Sequence, residues 1–135
     1  MTPRTEAASR TFQKNRRLRR RAEFQRVFDG GQRIRGRFLT LLIAQRAQPA
    51  QPAPGETSGA RLGIVASRKL GDAVRRNRAK RLIREIFRLN PRTEGSRGVD
   101  IVVIPRVELF GTAYAAIVED YRTALSRGLS RLRNL

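Results

Sequence analysis

The chain has neither cysteine nor histidine in its 135 residues. The first absence excludes disulfides, cysteine zinc ligands and thiol nucleophiles. The second removes the side chain that most often serves as general base or metal ligand near neutral pH. Carboxylates are scarce too: the 11 Asp and Glu are scattered, with no obvious pair for acid–base work. The longest apolar run, Phe38 to Ala44, is strand-sized and far short of the roughly 20 residues that cross a bilayer. Met1 to Arg21 lacks the apolar segment of a secretory signal. A soluble, cytoplasmic protein with no membrane partner and no self-contained protein active site is therefore expected.

What the chain has in excess is positive charge. Its 30 Lys and Arg leave a net charge of +19, far beyond what solubility requires, so a polyanionic partner is expected. Most of these cations are Arg, whose planar fork can grip phosphate with two hydrogen bonds and can stack on bases. Residues 1–37 carry 12 basic and 3 acidic groups, residues 61–92 carry 11 and 2, and residues 93–135 carry 6 and 5. The first two regions should therefore meet the partner.

The densest of these segments runs from Arg75 to Arg88, Arg-Arg-Asn-Arg-Ala-Lys-Arg-Leu-Ile-Arg-Glu-Ile-Phe-Arg. At about 100° per residue, Arg76, Asn77, Lys80, Arg81, Arg84 and Arg88 share one arc of a helix, and Ala79, Leu82, Ile83, Ile86 and Phe87 fill the neighbouring arc. One arc can pack while the other faces a polyanion. Glu85 alone supplies an acid within this segment, so self-pairing at helical spacing does not account for the charge.

The remaining elements follow from periodicity and punctuation. Residues 1–20 form a basic arm, disordered until it meets a partner. Residues 21–135 form a single domain. Phe24, Val27 and Phe28 recur at helical spacing over residues 21–28, and Gly30-Gly31 supplies a stop. An edge strand over 32–37 and a stronger strand over 38–45 meet at a bend near Gly36. Residues 47–60, rich in Pro and Gly, read as a mobile hairpin loop. Residues 61–67 alternate as a strand, and Asp72 caps the basic helix, which stops near Asn90 before Pro91. A polar loop through Gly95 and Gly98 leads to a buried strand over 99–104, and a final helix over 112–133 carries Ile117, Tyr121, Leu125, Leu129 and Leu132 on one stripe. The order helix, strands, helix, strand, helix defines an α/β (α+β) two-layer sandwich.

The segment Ser67-Arg68-Lys69-Leu70-Gly71-Asp72-Ala73-Val74-Arg75-Arg76-Asn77-Arg78-Ala79-Lys80-Arg81-Leu82-Ile83-Arg84 closely resembles the signature of the bacterial ribonuclease P protein subunit. The resemblance extends to residues 22–28 with the following Gly-Gly, to the strand over 61–67 and to the strand ending at Pro105. It implies a mixed sheet with a left-handed crossover between parallel strands. It also implies a protein that assists an RNA enzyme, the RNA subunit performing the Mg2+-dependent removal of 5′ leaders from precursor tRNA. By resemblance, Arg68, Lys69, Arg76, Asn77, Arg78, Lys80, Arg81 and Arg84 face the catalytic RNA. Phe24, Phe28, Thr40 and Leu42 line a cleft for the single-stranded leader. Magnesium is then held mainly by the RNA, and no obligate protein partner is expected. Two positions depart from the pattern: Ala79 is smaller than the aliphatic residue usual there, and Leu42 stands where relatives carry an aromatic.

Two other classes share some of these features. A ribosomal protein has similar charge and architecture but no reason to carry the ordered Arg-Asn-Arg signature. A stand-alone nuclease needs its own metal-binding carboxylates, and Asp72, Glu85 and Asp100 form no recognisable constellation.

Overall fold

The computed structural model describes residues 17–46, 59–90 and 98–135. Residues 1–16 of the expected arm, most of the 47–60 loop, and residues 91–97 lie outside these segments. The elements in order are α1 (Arg21–Gly30), β1 (Gln32–Arg35), β2 (Leu39–Gln45), β3 (Arg61–Ile64), α2 (Ala73–Leu89), β4 (Val99–Pro105) and α3 (Tyr114–Arg133). Short 3-10 turns at Arg68–Leu70 and Val107–Leu109 precede α2 and α3.

The four strands form one mixed sheet in the order β1-β2-β4-β3. β1 pairs antiparallel with β2, and β2 pairs antiparallel with β4, Leu42 facing Val102. β3 lies parallel to β4, Gly63 facing Val102, and α2 connects the two. This is the α+β architecture expected from the element order, with the mixed sheet that the family resemblance implies.

Helices cover both faces of the sheet, which a two-layer description does not capture. On one face, Ile34, Leu39, Leu41, Ile43, Leu62, Ile101 and Val103 pack with Ala79, Ile83, Ile86 and Phe87 of α2 and Ile117, Tyr121, Leu125 and Leu129 of α3. On the other, Leu42, Ala44 and Val102 pack with Val27 of α1 and with Leu18, and Phe24, Val65 and Ile104 sit partly buried around them. The cause is the unbroken apolar run of β2: Leu39 through Ala44 are all buried, and a strand apolar on both faces needs cover on both.

The end of the basic arm is also part of the fold. Arg17 bridges to Leu62 in parallel, the Leu18 N–H donates to the Leu62 carbonyl at 2.9 Å, and the Leu18 side chain is buried. The free arm expected over residues 1–20 therefore does not extend to Leu18, whose burial offsets the cost of ordering the backbone there.

Candidate nucleic-acid interface

β3 leads into α2 through a tight junction. Leu70 is buried and anchors the 3-10 turn, leaving Arg68 and Lys69 exposed on its outside. Gly71 follows at φ 125°, a conformation that side-chain-bearing residues rarely adopt. The Asp72 carboxylate then accepts from the Arg75 N–H at 3.0 Å, capping the first turn as expected. Arg75 turns back over the Phe110 ring, 4.2 Å from its centroid, and so fastens the helix start to the segment before α3.

The position of α2 on the sheet sorts its cations. Ala79, Ile83, Ile86 and Phe87 are buried, and Arg76, Lys80 and Arg84 run along the border of that apolar arc, half-buried. Asn77 and Arg81 lie further out and are exposed. Arg78 is exposed too, but it stands about 160° round the helix from Lys80, on the other side of the apolar arc. The fold thus gathers Arg76, Lys80 and Arg84, flanks them with Asn77 and Arg81, and sets Arg78, Arg68 and Lys69 apart.

Among the described residues none of Arg76, Arg78, Lys80, Arg81 and Arg84 forms an ion pair, whereas Arg88 pairs with Glu85 at 3.4 Å. The Arg76 Nε is shielded from solvent without a hydrogen-bond acceptor among the described residues. Burial, and then the nearby Arg17 charge, hold the Arg84 guanidinium below its usual pKa. Half-buried cations beside like charge are raised in free energy until an anion arrives.

Lys80 and Arg84 share a pocket of about 100 Å³ with Arg17, Phe24 and Gly63. It joins the basic stripe to the α1 side of the sheet. There the Phe24 ring rests directly on Gly63: a Cβ at residue 63 would lie 2.6 Å from its Cε1. Phe28, one turn on, is 40% exposed. Thr40 and Leu42 are on the α1 face of β2 but only 6% and 3% exposed. Phe38, in phase with them in the sequence, instead packs against the opposite core, because it precedes the first residue of β2.

The more open apolar residues on the α1 face are Val65 and Ile104, which sequence reasoning did not single out. Their signal was present as two-residue alternation: Val65 is in phase with Gly63, and Ile104 with Val102. A larger groove of about 580 Å³ lies elsewhere, between the β1–β2 turn and α3. Glu119 and Asp120 share its lining with Arg35, Arg37 and Arg127, so it lacks the single-sign lining of the α2 stripe. Among the described residues no three acidic side chains come together to hold a metal ion.

A basic helix whose Arg76, Lys80 and Arg84 form no ion pair among the described residues thus lies beside a partly open apolar face on a small α+β scaffold. The ribonuclease P family model matches residues 12–128. The chain is 36% identical over 111 residues to the ribonuclease P protein component of Gluconacetobacter diazotrophicus, covering 82% of this chain and 89% of that one. The structure of the Thermotoga maritima RNase P protein superposes with a TM-score of 0.67 at 34% identity, covering 82% and 96% of the two chains. That of the Staphylococcus aureus protein gives 0.66 at 30%, covering 82% and 93%. The chain belongs to the ribonuclease P protein family.

Proposed function

We propose that the chain is the protein subunit that binds the catalytic RNA of ribonuclease P through Arg76, Asn77, Lys80, Arg81 and Arg84, with Arg78 reaching the RNA from the far flank of α2 and Arg68 and Lys69 from the turn before it, and holds the 5′ leader of precursor tRNA between α1 and the sheet. The observation that carries this reading is the half-buried stripe of Arg76, Lys80 and Arg84, which has no acidic partner among the described residues. Phosphates placed there relieve the repulsion, and the counterions they release favour association. Arg forks and the Asn77 amide suit RNA backbone and base edges.

The leader passes over Phe24 and Phe28, whose rings offer stacking worth about 1–3 kcal/mol per base. Thr40 and Leu42 support the floor of this cleft, and Val65 and Ile104 form its open wall. Contacts to the leader select precursor over mature tRNA, which lacks it. Cleavage of the leader, an endonucleolytic hydrolysis, belongs to the RNA subunit, and Mg2+ is assigned to that RNA.

The test is cleavage of a 5′-labelled precursor tRNA at low magnesium by a bacterial ribonuclease P RNA, with and without this protein, each component also being assayed alone. Stimulation only by the combination, reduced by Arg76→Ala/Arg78→Ala, is the expected result. An RNA active alone at high magnesium that the intact protein neither binds nor stimulates would overturn the reading.

A further inference from the structure

Among the described residues one carboxylate is completely buried, and none of the proposed RNA-facing residues touches it. Asp100, at the start of β4, is 0% exposed. Arg61 of β3 grips it with two parallel hydrogen bonds, Nε to Oδ1 and Nη2 to Oδ2, both 2.9 Å. Arg46, just beyond β2, donates to Oδ1, and Arg26 of α1 donates to Oδ2 at 2.6 Å. The remaining Arg61 nitrogen, Nη1, donates to Glu23 of α1 at 2.9 Å. Glu23 also accepts from the Arg19 and Arg20 backbone N–H groups, each at 2.9 Å. Two strands and the end of a third are thereby tied to the first two turns of α1.

That arrangement matters because α1 has little else to fix its rotation. Val27 is its only buried residue. Taking Val27 as the point facing the sheet, Glu23 and Arg26 lie about 40° and 100° to one side, and Phe24 and Phe28 about 60° and 100° to the other. Val27 sets the distance of α1 from the sheet, and the Phe24 ring resting on Gly63 limits the roll in one direction only. Ion pairs along one flank prevent the roll, and the opposite flank carries the phenylalanines.

The geometry points to Asp100 and its arginines as a positioning device that sets the roll of α1, and through it the presentation of Phe24 and Phe28 to the precursor leader. This rests on the leader-cleft reading above and goes beyond it by naming the residues, remote from the cleft, that govern leader selectivity. Asp100 touches neither RNA nor leader in this account; it acts through α1.

The experiment uses the full-length protein with fluorine-labelled phenylalanine at position 28. Arg26→Gln is the principal variant, since its side chain is half exposed and its loss leaves Arg61 and Arg46 on Asp100. Asp100→Asn is the stronger one, and Arg26→Lys is the conservative control. The expected result is a displaced fluorine resonance at Phe28 in Arg26→Gln without RNA. The preference of the holoenzyme for precursor over mature tRNA should also fall by roughly tenfold, within the range of one lost base stack. Affinity for the catalytic RNA should be unchanged, and Arg26→Lys should recover much of the effect. An unmoved fluorine resonance in both Arg26→Gln and Asp100→Asn overturns the proposal, as does unchanged discrimination where Phe24→Ala/Phe28→Ala lowers it. If the resonance moves but neither Arg26→Gln nor the double phenylalanine variant alters discrimination, the leader-cleft reading is what fails, and control of the α1 roll by Asp100 stands.

Discussion

Replacing Gly63 by alanine tests how tightly α1 is seated. A Cβ at this position would lie 2.6 and 2.7 Å from two rim carbons of Phe24 and 3.1 Å from the Leu18 Cβ, whereas carbons in van der Waals contact stand about 3.5–4.0 Å apart. The ring must retreat by about 1 Å, and Leu18 blocks one way out. Overpacking of this kind costs about 1–3 kcal/mol. Removing a strand glycine returns about 0.5–1 kcal/mol by restricting the unfolded chain. A net loss of about 1–2 kcal/mol is expected, or roughly 3–10 °C in Tm for a chain of this size. Urea unfolding followed by far-ultraviolet circular dichroism suits the measurement, as the chain has no tryptophan. In a Phe24→Ala background the two ring contacts are gone and only the 3.1 Å approach to Leu18 remains, so Gly63→Ala should cost clearly less than in the wild-type background. Equal destabilisation in both backgrounds would refute the packing of Phe24 on Gly63.

Lys80→Ala/Arg84→Ala should reduce the slope of log K against log salt for catalytic-RNA binding by about 1.4–1.8, the effect of two lost phosphate contacts; filter binding across a salt series checks it. Burial alone would raise the Asp100 pKa, but the hydrogen bonds and charges of Arg61 and Arg46 outweigh it and hold the carboxyl below the usual range. Stability from that ionised group is complete above the unfolded-state pKa of about 3.9 and is lost as pH falls through the lower folded value. Urea midpoints should therefore drop below about pH 4, and Asp100→Asn, less stable at neutral pH, should show a shallower acid decline. Asp72→Ala should cost about 1 kcal/mol by leaving the Arg75 N–H without its cap, measured by the same urea unfolding.

Local signals carried most of the secondary structure. The Asp72 cap, the apolar stripes of α2 and α3, and the strand alternation over residues 61–67 all act within a few residues, and each element appears in its expected place in the chain order, though β3 ends at Ile64, three residues earlier than the alternation suggests. The departures are cases in which distant packing decides. Leu18 is a single apolar residue in a basic run, with no periodicity to announce that it pairs beside β3. The burial of β2 on both faces was written in its unbroken apolar run, but which helix covers which face depends on the connections. The junction turn at Arg68–Leu70 is too short for a periodic signal.

The site divides in the same way, and the reason is where the acids go. Net charge counts cations without showing which of them the fold neutralises internally. Asp100 finds Arg26, Arg46 and Arg61 at separations of 74, 54 and 39 residues, and Glu23 takes the remaining nitrogen of Arg61. None of those pairings is visible at helical or strand spacing. They hold three arginines within the scaffold, whereas the basic arc of α2, legible from its 3.6-residue period, has only Glu85 on its own helix, and Glu85 pairs with Arg88. Arg76, Lys80 and Arg84 form no ion pair among the described residues, where Asp100, Glu23 and Glu85 are engaged with other arginines. The same scarcity of acid leaves this stripe without a carboxylate partner among the described residues, while Asp100 and Glu23 tie their arginines to α1 and the sheet.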